Sequence, residues 1–202
     1  MMLTEGIVLG HHISSSRIKV DQAKIQVIVN LTPPTTQKEV RSFLGYAGYY
    51  RRFIENFSKI ALPLFNLLVK DVEFQWTNNF QNAFEKLKEK LSISPILRGH
   101  NWYFPFHIST DASDTTIGAP LGQKENQFNY AIHFISKNLT LTEFNYTITE
   151  KEMLDVLHAV NKFRNYIISY QVYIHIDHSP IKYLMNKSIT NSRITRCLFL
   201  MQ

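Results

Sequence analysis

The sequence is short of the features that would tie a protein to the outside of a cell. Among 202 residues it has a single cysteine, Cys197, so no disulfide can close within the chain. Its first residues, MMLTEGIVLGHHISSS, lack the basic-then-apolar pattern of a secretory leader, and no apolar run approaches the roughly 18 residues needed to span a bilayer. The expectation is an intracellular protein with no membrane partner. Acidic residues are scarce in one place: none follows Asp177, whereas Lys182, Lys187, Arg193 and Arg196 do. The paired His11 and His12 have no cysteine or acidic partner at ligand spacing, which favours exposed or core histidines over a metal site.

What is present suits one or two compact domains, with 45% hydrophobic and 19% charged residues. Net charge is +6, and residues 1–100 hold 13 basic and 8 acidic side chains against 9 and 8 in the remainder. A basic surface favours a polyanion because neutralising phosphates releases counterions, although alone it also fits an ordinary solvated face.

The chain changes character near residue 94. Before it, residues 6–13 and 18–20 read as short strands, and AKIQVIVNL as a short helix stopped by Pro33 and Pro34. TTQKEVRSFLGYAGYYRRFI then opens on a capping box, Thr36 with Glu39, and places Val40, Phe43, Leu44, Ala47 and Ile54 at helical spacing. Tyr49, Tyr50, Arg51 and Arg52 set stacking groups beside positive charge, a nucleic-acid-like mixture; packed tyrosines and wet arginines are the plainer alternative. Gly45 and Gly48 cost this helix stability unless something approaches closely there. A short helix over SKIALPLFNLLVK and a longer one from Thr77 follow. No strand pattern interrupts residues 36–93.

After ILRGHNWY the pattern becomes strand (104–111), strand (117–122), strand (129–136), helix (150–168), strand (171–177), short helix (180–186) and the start of another (191–202). Three strands on short turns imply antiparallel pairing, and the long helix implies a crossover, so the sheet is mixed. The expected class is α/β with two parts: a mostly helical region over 1–94 and a mixed-sheet domain over 95–202. Pro120 sits oddly inside a strand, since proline removes a ladder donor.

Period-two alternation puts His107, Ser109 and Asp111 on one strand face, and Tyr173, His175 and Asp177 on one face of another. Both aspartates end their strands. Asp111, in STDAS, also fits an ordinary turn. Glu152 leads Val156, Ala159 and Phe163 along the packing line of the helix, and it could equally close a capping box with Thr149. Glu150 and Lys151 point elsewhere; Asp114 reads as turn chemistry and Asp155 as a solvent-facing helix position. Two strand-end aspartates and a first-turn glutamate can meet, and oxygen ligands of this kind suit Mg²⁺ or Mn²⁺. Paired ions would support phosphodiester hydrolysis of a nucleic acid.

The markers LGHHIS, PPTTQKEVRSFLGYAGYYRRFIENFSKIALPL, FQWTNNFQNAFEKLK, STDASDTTIGA, ISKNLT, NYTITEKEMLDVLHAVNKFRNYI and IDHSPIKYL, in that order, resemble the C-terminal part of the reverse transcriptase of a gypsy-type LTR retrotransposon, running into its ribonuclease H domain. The resemblance implies that Asp111, Glu152 and Asp177 are the catalytic, metal-binding carboxylates, with Mg²⁺ or Mn²⁺ in a two-metal site. The activity implied is endonucleolytic cleavage of the RNA strand of an RNA–DNA hybrid, leaving 3′-hydroxyl and 5′-phosphate ends. It also implies a primer-grip strand at LGHHIS and thumb and connection helices over residues 1–94 that hold the template–primer, with Tyr49, Tyr50, Arg51, Arg52, Lys182, Lys187, Arg193 and Arg196 as nucleic-acid contacts. The remaining partner is the rest of the retroelement polyprotein. The polymerase palm lies upstream in the family, so DNA synthesis is not expected of this polypeptide. The ribonuclease H part is expected to be truncated: the last strand, and the helix carrying a fourth acidic ligand, would follow Gln202, leaving an unpaired edge at residues 171–177. The alternative expectation is a catalytically inactive nucleic-acid-binding remnant without a complete metal site.

Overall fold

In the computed structural model, residues 5–14, 17–70, 72–93 and 96–177 are described. They fall into two units, Met1–His100 and Asn101–Gln202. The expected change of character at residue 94 is thus moved to His100. The reason is a two-residue strand in the expected linker, Leu97–Arg98, which pairs antiparallel with Arg17–Val20.

In the first unit, strands β1 (Glu5–Val8), β2 (His11–Ser14), β3 (Arg17–Val20) and β4 (Leu97–Arg98) form an antiparallel sheet in that order. The expected single strand over 6–13 is a hairpin instead. Leu9 and Gly10 both have positive φ, 48° and 74°, and Val8 pairs with His11, which is the two-residue turn whose twist matches paired strands. Helices α1 (Gln22–Val29), α2 (Gln37–Tyr49), α3 (Phe57–Asn66) and α4 (Asn78–Ser92) follow, with no strand among the described residues between 36 and 93. Asp21 caps α1 through Ala23 N–H. Thr36 accepts from Glu39 N–H to cap α2, but the Glu39 carboxylate reaches back to Thr35 rather than Thr36. Val40, Phe43, Leu44 and Ala47 are buried as the spacing requires, as are Phe84, Leu87 and Leu91 of α4. Phe43 and Phe84 lie with ring centroids 4.5 Å apart. Gly45 and Gly48 face open space, so no close approach explains them.

The second unit is a mixed four-stranded sheet covered by one long helix. Strands β5 (Phe106–Ala112), β6 (Thr116–Glu125) and β7 (Phe128–Asn138) form an antiparallel meander. A one-turn helix α5 (Leu141–Phe144) and the helix α6 (Ile148–Ile167) lead to β8 (Val172–Ile176), which pairs parallel with β5. The order is β7-β6-β5-β8, so β8 is an edge among the described residues. Helix α6 packs on β5, β6 and β8, and Phe106, Ile108, Ala119, Leu121, Ile132, Ala159 and Phe163 form the core between them. Burying each of the larger side chains contributes about 1.5–3 kcal/mol. Gln123 is a polar plug at the far end of β6. Its amide, 1% exposed, accepts from Asn101 N–H and donates to Asn101 and Phe104 carbonyls at 2.8–2.9 Å, so the buried polar atoms of this corner are satisfied.

The mixed α/β class with a crossover helix is as expected. The expected helices over 180–186 and 191–202 lie outside the described residues.

Candidate active site

Strand β5 alternates as its sequence dictates: Phe106, Ile108 and Thr110 are buried, while Ser109 and Asp111 are exposed. In the parallel β5–β8 register Thr110 lies opposite Ile176. Asp111 and Asp177 are therefore the next residues of two neighbouring strands at the same end of the sheet, both exposed. Glu152 stands in the second turn of α6 and is half-buried. It is not a capping residue. The capping box that forms is one frame earlier, with Thr147 accepting from Glu150 N–H at 3.3 Å and the Glu150 carboxylate accepting from Thr147 N–H at 2.9 Å.

Two residues set aside by the spacing argument belong to this end of the sheet. Lys151 is buried and donates to the Asp114 carbonyl at 3.1 Å, tying the first turns of α6 to the loop after β5. Asp155 is a correction of greater weight. It does not face solvent but is fully buried, 0% exposed. Its Oδ2 accepts from the backbone N–H of Asp111 at 3.0 Å and of Gly118 at 3.2 Å, while its Oδ1 is buried without a hydrogen-bond partner. Burial pushes its carboxyl up to about 8; the two N–H groups oppose this, and the nearby charges of Glu152 and Asp111 add to it. A sequence signal existed: Lys151, Asp155 and Ala159 form an i, i+4, i+8 row adjoining Val156 and Phe163, within the width of an apolar stripe.

The carboxylate oxygens of Asp111, Glu152 and Asp177 are of the donor type that suits a hard divalent cation. Among the described residues, however, no group of three or more His, Cys, Asp or Glu side chains is gathered closely enough to hold a metal ion. The sheet face that carries His107 and Ser109 bears a cavity of about 380 Å³, lined also by Lys124 and His175 among others. His107 Nδ1 and His175 Nε2 are 2.9 Å apart. Burial, then His175 and Lys124, lowers the pKa of His107 and so favours its neutral form.

The expected nucleic-acid contacts of the first unit separate. Tyr49 is 51% exposed and its hydroxyl bonds the Leu9 carbonyl. With Lys24, Val27, Leu31 and Tyr46 it lines a groove of about 750 Å³. Tyr50 is only 3% exposed; it packs against His11 and Tyr49 and cannot serve as a stacking platform, which corrects that expectation. Arg51 lies over the Phe57 ring at 5.5 Å and Arg52 over the Phe53 ring at 5.8 Å, so both spend an aromatic contact within the unit. Lys182, Lys187, Arg193 and Arg196 lie outside the described residues. Among the described residues no helix is long and apolar enough to cross a membrane.

The second unit thus combines a mixed sheet with antiparallel first strands, a crossover helix and a parallel strand pair that carries Asp111 and leads to Asp177. Residues 76–174 match the RNase H-like domain found in reverse transcriptase. The chain is 37% identical over 189 residues to the retrovirus-related Pol polyprotein from transposon 297 of Drosophila melanogaster, covering 93% of this chain and 18% of that protein. It is 35% identical over 162 residues to the Tf2-3 transposon polyprotein of Schizosaccharomyces pombe, covering 80% of this chain and 12% of that one. The chain thus spans a fifth or less of the length of these relatives. Among solved structures, it resembles the foamy viral protease-reverse transcriptase in complex with RNA/DNA hybrid (TM-score 0.80, 22% identity, 98% of this chain and 28% of that one). The same protein in complex with dsDNA gives a TM-score of 0.82 at 22% identity, over 100% of this chain and 44% of that one.

Proposed function

We propose that the chain is the part of a retroelement Pol polyprotein that cleaves the RNA strand of an RNA–DNA hybrid, with residues 1–100 holding the nucleic acid. The observation that carries this reading is the placing of Asp111 and Asp177 side by side at the ends of two parallel strands, with Glu152 of α6 electrostatically coupled to the Asp155 carboxyl that grips the Asp111 backbone. Asp111, Glu152 and Asp177 would hold Mg²⁺ or Mn²⁺, which when bound supplies charge neutralisation and an activated water for phosphodiester hydrolysis. The chain's own residues orient the site. The β5–β8 pairing brings the chain to Asp177 just past β8 and next to the end of β5 that carries Asp111, α6 carries Glu152, and Lys151 fastens the loop that follows Asp111. Tyr49, with Arg51 and Arg52, contacts the nucleic acid from the first unit, where stacking and shape rather than base sequence carry recognition.

The test is cleavage of an end-labelled RNA–DNA hybrid by the purified chain in Mg²⁺ or Mn²⁺. The expected result is endonucleolytic products with 3′-hydroxyl ends that disappear in Asp111→Asn and in EDTA. A second reading, a nucleic-acid-binding remnant without activity, is favoured by the lack of a gathered metal-holding group among the described residues. Hybrid binding with no cleavage in either metal would establish it and overturn the first.

A further inference from the structure

Two irregularities of the second unit meet at one place. Strands β5 and β6 pair from Phe106↔Gln123 to Ile108↔Leu121 and again at Asp111↔Gly118, but the pairing lapses where Ser109 and Thr110 face Pro120 and Ala119. Gly118 N–H and Asp111 N–H share one acceptor, Asp155 Oδ2, so both point into the space between the two strands. Backbone groups alternate along a strand, so residue 120 also turns its amide position toward β5. Being proline it has no N–H to give. The ladder therefore lacks a bond next to Asp111, between Ser109 and Pro120. Asp111 and Gly118 remain a registered pair, and their two N–H groups also donate to a single carboxylate oxygen from the helix beneath.

We propose that Asp155 is a positioning residue for Asp111, clamping the ends of β5 and β6 so that the Asp111 carboxylate projects from a fixed backbone. The proposal rests on the reading of Asp111 as a catalytic carboxylate. Asp155 is too deeply buried to touch a nucleic acid, so it acts through Asp111 alone. Its function requires an acceptor oxygen of the right reach, which asparagine keeps and alanine lacks. The buried Oδ1 has no hydrogen-bond partner, so the holding is done by Oδ2 alone.

Three measurements on the full chain test this. In the wild-type chain, NMR couplings across the hydrogen bonds are expected from the Asp111 and Gly118 amide nitrogens to the Asp155 side-chain carboxyl carbon. Amide exchange at these two positions is expected to be slow in wild type and Asp155→Asn, and faster by on the order of tenfold in Asp155→Ala, the change that loss of about 1.4 kcal/mol of protection produces. For hybrid cleavage, Asp155→Asn is expected to keep kcat near wild type, whereas Asp155→Ala lowers kcat by on the order of 10- to 100-fold with KM little changed, as a misplaced reacting group does. Absent couplings, unchanged exchange in Asp155→Ala, or full cleavage by Asp155→Ala while Asp111→Asn is inactive would each overturn the proposal. So would an Asp155→Asn as inactive as alanine with both amides still protected, which would make Asp155 a ligand instead. The couplings need no variant, so an Asp155→Ala that fails to fold leaves the proposal testable. Failure of the underlying reading looks different: Asp111→Asn then cleaves as well as wild type whatever residue 155 is.

Discussion

One methyl group has opposite effects at two glycines. At Gly122, where β6 carries an irregularity against β7, an added Cβ would lie 2.7 Å from the Tyr130 carbonyl oxygen, a backbone atom that cannot swing away. Gly122→Ala is expected to cost about 1–3 kcal/mol and to lower the thermal midpoint. At Gly45, inside α2 and facing open space, alanine restricts the unfolded chain at no steric cost, and a gain of up to about 1 kcal/mol is expected from the same calorimetric scan. Tyr49 allows a binding test at the same scale. Tyr49→Ala should weaken RNA–DNA hybrid binding roughly tenfold by fluorescence anisotropy, the loss of one stacking contact. Tyr49→Phe, which keeps the ring and loses only the bond to Leu9, should bind as wild type. The place of Asp111 near the end of β5 was legible in the sequence, because strand alternation and the turn residues that follow mark that end. Asp155 was not, because a carboxylate one position before a buried valine reads as polar and outward unless the whole width of the helix stripe is considered. The misplaced capping box has a similar origin: TITEKE contains two overlapping Thr-x-x-Glu frames, and only the fold selects Thr147 with Glu150.

Elements long enough to show a period, such as α2, α4, α6 and the three meander strands, were readable from spacing alone. The ones missed are too short to have a period: β4 has two residues, and α5 is a single turn. Helix α5 is held by chemistry rather than by packing. Thr140 and Glu143 form its capping box, and the Glu143 carboxylate also accepts from Lys137 Nζ of β7 at 2.6 Å. Partial burial works against ionising Glu143, but the bonds from Lys137 and Thr140 prevail and hold its pKa below the ordinary 4.5. A carboxyl depressed in the folded state binds fewer protons there than when unfolded, so its contribution to stability is present above about pH 4.5 and lost as pH falls through the lower, folded value. Glu143→Gln is therefore expected to flatten part of the acid-side decline in thermal midpoint. An unchanged decline between pH 5 and pH 3 would count against this tie.

For the whole molecule, the excess of positive charge resides mainly in the first hundred residues, whereas the carboxylates that would do chemistry are on the second unit. Hybrid binding should accordingly be salt-dependent: between 50 and 200 mM salt the affinity is expected to fall roughly 10- to 100-fold, the loss that accompanies neutralising about two to four phosphates. Titration at several salt concentrations checks this, and a flat response would mean that the basic surface does not meet the backbone. Net charge and the two-part organisation were evident from composition and pattern, but the boundary was not, because two paired residues at Leu97 and Arg98 determine it and no local signal announces them. The bond from helix to sheet at Asp155 has a consequence for how such sequences drift. An acid is tolerable in the core there because the amides of Asp111 and Gly118 donate to it; in related chains with an apolar residue at this place, those two amides should have only the strand ladder to serve.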